Sequence, residues 1–181
     1  MILDNIIFIH PPRCSGTSIE RSLVADRSIT LGQKHHTASF AKNLCGTDVW
    51  TNSVKFAVVR NPFDRVVSMY RAVWYSNKRR GIKFETLEEF LTSIPKVPWE
   101  AGITCCDYLD EELDYIIKFE TRNDDIDEIN KRYNLKINKY IHTKERVNPR
   151  EKNYRSYHTP ETIQLVEKHF QDDLIRFNYK F

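Results

Sequence analysis

The stretch from Ile6 to Leu23, IIFIHPPRCSGTSIERSL, constrains this chain more than any other. Ile6, Ile7, Phe8, Ile9 and His10 form a β-branched and aromatic run short enough for a buried strand. Pro11 and Pro12 end any ladder there, because neither carries an N–H to donate. Ser15, Gly16, Thr17 and Ser18 are small and polar, and Ile19, Leu23 and Val24 follow at the spacing of a helix face. A strand feeding a helix through such a turn gathers backbone N–H groups at the positive end of a helix dipole. The expected feature is an anion site, most naturally for phosphate; the bland alternative is a strand-turn-helix that binds nothing.

A Walker loop, GxxxxGK[ST], has a lysine between its last glycine and its hydroxyl residue. Here Thr17 stands in that place, the leading glycine is missing, and the basic residue, Arg13, precedes the turn. That disfavours a nucleotide triphosphatase. A second apolar run, Lys55 to Val59, reads as a central strand and ends in Arg60-Asn61-Pro62-Phe63-Asp64-Arg65. Asn61 suits an N-cap, Pro62 the first helical position and Asp64 the first turn. Val66, Val67, Tyr70, Val73 and Trp74 then mark an apolar helix face. Arg60 falls at the carboxyl end of a strand and Ser68 about two turns along the next helix. In an open α/β sheet both are expected to converge with the first loop on one ligand carrying two separated anionic groups.

These segments resemble sulfotransferases. Pro12-Arg13-Cys14-Ser15-Gly16-Thr17-Ser18 is similar to their 5′-phosphosulfate loop, PK-x-x-GTS, with arginine in place of the lysine. Val58 to Tyr70 is similar to their VRNPxDRxxSxY segment, and Lys34-His35-His36-Thr37-Ala38 to a K-H-x-x-A stretch between the two. The resemblance is to the carbohydrate-type members, including bacterial ones. It implies an α/β, three-layer P-loop-like fold with a central mainly parallel sheet flanked by helices. It also implies transfer of a sulfuryl group from 3′-phosphoadenosine-5′-phosphosulfate (PAPS), leaving PAP, to an acceptor hydroxyl, with sugars favoured. In that reading Arg13, Cys14, Ser15, Gly16, Thr17 and Ser18 hold the 5′-phosphate, Arg60 and Ser68 hold the 3′-phosphate, and Arg13 faces the bridging oxygen. His35 is favoured as the base, with His36 its rival; histidine alone has an unperturbed side-chain pKa near neutrality. No metal is required. A small P-loop metabolite kinase and a non-catalytic nucleotide-binding module are the alternatives.

A chain of 181 residues with 40% hydrophobic content suits one sulfotransferase domain over 1–181. The near balance of 28 basic and 25 acidic residues, a formal +3, argues against a general nucleic-acid binder. No apolar run approaches the roughly 18 residues of a membrane span, and no signal-peptide pattern opens the sequence, so a cytoplasmic protein is expected. Cys14, Cys45, Cys105 and Cys106 show no metal spacing and read as free thiols.

Further along, the first helix is expected to end near Asp26 to Ser28, a short strand to span Ile29 to Gly32, and a helix to run from Ala38 to Leu44 before Gly46. Ser76 to Lys83 reads as a basic loop, Thr86-Leu87-Glu88-Glu89 as a capping box, and Trp99 to Leu109 as a lining of the acceptor cleft. Leu113 to Glu120 reads as a third buried strand, with Glu120 at the cofactor site or in an interior salt bridge, and a helix begins at Asn123. By resemblance, Lys144 to Tyr157 is a flap over PAPS. Thr159-Pro160-Glu161 caps a final helix with Ile163, Val166, Phe170, Leu174 and Ile175 on one face, and Asp173 to Phe181 is a packing segment.

Overall fold

Three apolar runs separated by helix-forming stretches leave few ways to bury all of them, and a parallel sheet covered by helices is the simplest. A computed structural model describes residues 1–3, 5–23, 35–77, 84–94, 102–141 and 153–181. Strand β1 (Ile2–Leu3) pairs antiparallel with β2 (Ile6–Ile9), which pairs parallel with β3 (Val54–Val59), which pairs parallel with β4 (Tyr115–Lys118). The order is β1-β2-β3-β4, a mixed α/β arrangement in which the Lys55 to Val59 run is central, as its unbroken apolarity predicts. Phe8 lies opposite Phe56 with rings stacked at 5.0 Å, and Val58 lies opposite Ile117.

Local chemistry sets the helix boundaries. Helix α1 (Gly16–Leu23) follows the first loop. Helix α2 (Ala38–Cys45) is capped by Thr37, whose Oγ1 accepts from Phe40 N, and stops at Gly46 with φ 81°, a left-handed value that favours glycine. After α3 (Thr47–Asn52) and β3, helix α4 (Pro62–Asn77) opens with Asn61 Oδ1 accepting from Phe63 N at 3.0 Å. There follow α5 (Leu87–Ser93), α6 (Cys105–Tyr108), α7 (Arg122–Tyr133), a 3-10 turn (Tyr154–Tyr157), α8 (Pro160–His169) and α9 (Gln171–Arg176). One apolar cluster joins the strands to α1, α2, α6 and α7, and a second fills the space between α4, α5 and α8. Among the described residues no helix is long and apolar enough to cross a membrane.

Several expectations need correcting. The final helix is two helices: Phe170, fully buried, breaks it at φ −123° and ψ 23°, and the redirected chain leaves Ile175 71% exposed instead of on the apolar face. The redirection aims Asp173 at α6, where its carboxylate accepts from Cys105 N at 2.7 Å and Cys106 N at 2.8 Å. The third strand is shorter than Leu113 to Glu120, because Asp114 Oδ2 takes the Lys55 amide at 2.7 Å in place of a ladder carbonyl. Thr86 caps α5, but Glu89 reaches back to Glu85 N rather than to Thr86, so the capping box is displaced by one residue. The expectations for Asp26 to Ser28, Ile29 to Gly32, Lys34, the side chains of Val73 and Trp74, and residues 78–83, 95–101 and 142–152 lie outside the described residues.

Candidate active site

Because β2, β3 and β4 run the same way, the residues following each lie along one edge of the sheet: His10 to Ser15, Arg60 and Asn61, and Phe119 to Arg122. The first loop is strained. Arg13 has φ 67° and Ser15 φ 70°, values uncommon for residues with a Cβ and concentrated at functional loops. Cys14 between them turns inward and is fully buried. Gly16 is obligatory for packing, since a Cβ there would sit 1.7 Å from His10 Cδ2 and 1.8 Å from its Nε2. The expected cradle of Ser15 to Ser18 amides loses one member, for Ser18 N donates to Ser15 O at 3.0 Å within the turn.

The loop's own Arg13 is joined by three arginines from three other elements. Arg13 donates Nε and Nη2 to Ser68 Oγ of α4, both at 3.1 Å, and among the described residues no carboxylate pairs with it. Burial and the neighbouring charge of Arg60 lower the pKa of Arg13, the signature of a cation that gains from an anion. Arg60 donates Nη1 to Arg13 O at 3.1 Å and lies over the Phe119 ring at 4.2 Å. Its Nε and Nη2 go to Asp64 Oδ2 at 2.8 and 2.6 Å, so Arg60 has a buried carboxylate partner, while it and Ser68 both bond to Arg13. Arg65, fully buried, donates Nε to Pro12 O at 2.9 Å and Nη1 to Ile103 O at 2.7 Å, pinning the loop from below. Arg122, at the start of α7, donates Nη1 to Ser15 Oγ at 3.0 Å and Nη2 to Lys139 O at 3.1 Å, and burial lowers its pKa. The sulfotransferase family model matches residues 4–180, almost the entire chain.

The chain belongs to the sulfotransferase family. No curated protein and no solved structure matches it. In this sulfotransferase the two histidines are placed differently. His35 Nδ1 lies 2.8 Å from His10 O; a carbonyl only accepts, so Nδ1 carries the proton and Nε2 of the neutral ring keeps its lone pair. The His35 and His10 rings meet edge-on at 4.7 Å, beside the loop. His36 stacks on Phe40 of α2 at 4.1 Å and lines a small cavity with Met1, Phe8, Ala41 and Leu44. Among the described residues no group of three or more His, Cys, Asp and Glu side chains converges as metal ligands would.

Sequence reasoning missed three residues of this sulfotransferase. His10 was read only as a strand residue, yet it donates Nδ1 to Glu20 Oε1 at 3.2 Å and so ties the end of β2 to α1. Arg65 and Arg122 were passed over; for Arg122 the available signal was a basic residue two positions after the Leu113 to Glu120 run, at a strand's carboxyl end. Glu120 makes no salt bridge among the described residues: it accepts from Asn61 N and from Tyr179 Oη, both at 2.8 Å, and so positions the start of α4.

Proposed function

We propose that this protein is a single PAPS-dependent sulfotransferase domain of P-loop-like fold that transfers a sulfuryl group to an acceptor hydroxyl, on a carbohydrate by family resemblance. The observation that supports this most is the Arg13 to Ser68 contact, which joins the two resembling motifs across the sheet edge with a cation bonded to a hydroxyl. The donor set fits a bis-anionic nucleotide: Arg13 and Arg122 supply charge at the loop, with Ser15, Thr17, Ser18 and Ser68 as hydroxyl donors and the buried Cys14 and Gly16 as its packed frame.

PAPS, when bound, supplies the sulfuryl group and leaves as PAP. Arg13 stabilises negative charge on the leaving oxygen electrostatically, because a guanidinium keeps its proton at ordinary pH. His35 removes the acceptor proton at Nε2, the nitrogen left bare by its bond to His10 O. Arg60 acts on the nucleotide through Arg13 O, with Asp64 fixing its guanidinium. The reaction is one of positioning and charge stabilisation, and the residues named need no metal to carry it out. The deciding experiment is calorimetry with PAP, and separately with ATP and magnesium: micromolar PAP binding without metal is expected, and binding of ATP alone would return the chain to the kinase alternative.

A further inference from the structure

The loop carries a second chemistry beside anion binding. Cys14 of the loop and Cys105, the first residue of α6, are both fully buried, and their Sγ atoms are 3.7 Å apart, in van der Waals contact. They are 91 residues apart in sequence and both are free. Arg65, fully buried and near enough for its charge to act on both thiols, has in Nη2 a buried donor with no hydrogen-bond partner. An orphaned guanidinium nitrogen is costly, and a thiolate is the group at hand whose formation would use it. Burial opposes ionisation of Cys14, yet the hydrogen bond from Cys105 together with the charges of Arg65 and Arg60 outweighs it and brings the thiol below its ordinary pKa. Burial and the same hydrogen bond push Cys105 up. The pair is thus one poised nucleophile and one protonated partner.

We propose that Cys14 and Cys105 form a redox site, in which a hydroperoxide joins them as a disulfide that clamps the anion loop to α6 and shuts off binding there; the second half rests on the PAP reading. The Cys14 thiolate attacks the peroxide oxygen, giving a sulfenic acid and releasing hydroxide. The Cys105 sulfur then attacks the sulfenic sulfur, the S–S bond forms, and the departing hydroxide leaves as water with the Cys105 proton. The peroxide is reduced by two electrons and two thiols are oxidised to one disulfide, with two waters released. The sulfurs must close from 3.7 Å to the roughly 2.05 Å of a disulfide. Asp173 grips the amides of Cys105 and Cys106, which makes the backbone of α6 the fixed side of the pair. The loop moves instead, and Arg13 and Ser15, held at φ 67° and 70° on either side of Cys14, are displaced from Ser68 and Arg122.

Reduced full-length protein, treated with a small excess of hydrogen peroxide, alkylated and digested, should yield a peptide pair joined through Cys14 and Cys105, two hydrogens lighter than the separate thiols and restored by dithiothreitol. PAP affinity should be weaker by about tenfold or more in the oxidised protein. Cys105→Ala should bind PAP like the wild type and resist peroxide, and the Cys45→Ser/Cys106→Ser double variant, which keeps only the pair, should remain sensitive. Both thiols alkylated after peroxide, a disulfide through Cys45 or Cys106 instead, or a Cys14–Cys105 disulfide with unchanged PAP affinity would overturn the proposal. The peptide mapping does not depend on PAP, so a reduced protein that binds no PAP overturns the donor reading and leaves the cross-link to decide the thiol pair.

Discussion

Arg13 and Ser68, 55 residues apart, are joined by two 3.1 Å hydrogen bonds in which the guanidinium Nε and Nη2 share one hydroxyl oxygen. A hydroxyl is a weak acceptor for a charge, so the contact holds Arg13 in place without neutralising it. Removing the hydroxyl should release the side chain, and removing the charge should do more. Ser68→Ala is expected to weaken PAP binding by about 10- to 100-fold, the size of one hydrogen bond to a charged group. Arg13→Ala is expected to lower kcat by about 100- to 1,000-fold, as loss of a charge-stabilising donor does elsewhere. Calorimetry with PAP and steady-state sulfation assays check both; unchanged PAP affinity in Ser68→Ala would remove that residue from the site.

Arg60 has a structural task that any binding experiment must separate. Its bond pair to Asp64 Oδ2, at 2.8 and 2.6 Å, is buried, with side-chain exposures of 7% and 9%. Breaking a buried ion pair from one side leaves an uncompensated charge and costs about 3–5 kcal/mol. Asp64→Ala should lose that much stability in urea denaturation without ligand, and Arg60→Ala should also unfold at lower urea. Midpoints equal to the wild type in both would show the pair to be dispensable for the fold.

Gly16 offers a test of the loop that involves no charge. The space for its Cβ is filled by the His10 ring at 1.7 Å, and that ring is held by Glu20 and by the edge of His35. Gly16→Ala should destabilise the fold by about 1–3 kcal/mol, the usual cost of overpacking. His10→Ala in the Gly16→Ala background should recover part of it, because the obstacle is a side chain. Additive losses in the double variant would place the clash elsewhere.

The strands and several helix starts were legible because they rest on local chemistry: Ile6 to Ile9 and Lys55 to Val59 are too apolar to lie anywhere but a sheet interior, and Asn61, Thr86 and Thr159 cap as their side chains dictate, whereas Trp99 to Leu109, read as a cleft lining, holds α6 with Cys105, Tyr108 and Leu109 in the core. The loop between β2 and α1 was legible in position. Its neighbours were not, since Arg65, Arg122 and Cys105 come to it by tertiary packing from residues 53 to 107 positions away. The break at Phe170 was equally hidden: the apolar spacing of Ile163 to Ile175 continues through it, and only the demand of the α6 amides for the Asp173 carboxylate stops the helix.

His10 should make stability depend on pH. Burial lowers its pKa, with the hydrogen bond and charge of Glu20 opposing. A histidine depressed in the folded state binds fewer protons folded than unfolded at pH values between its two pKa values, so stability falls as pH drops below the unfolded value near 6.5. His158, lowered by burial with its bond to Phe63 O and the charge of Asp64 opposing, works in the same direction. Thermal melts below pH 6.5 should therefore show a downward slope that is shallower in His10→Gln and shallower still with His158→Gln added. Parallel slopes for all three proteins would mean that neither ring is buried uncharged.

The two histidines separate the proton-transfer step from binding. His35 is oriented by His10 O at 2.8 Å with Nε2 left as its acceptor, whereas His36 lies flat on Phe40 at 4.1 Å. His35→Ala should keep PAP affinity close to the wild type and lose about 100- to 10,000-fold in kcat, the range for removing a positioned base. His36→Ala should change kcat by far less and show its effect in stability, through the lost ring contact at α2. The reverse pattern would move the base to His36, and a normal kcat in both variants would take the proton transfer out of this histidine pair altogether.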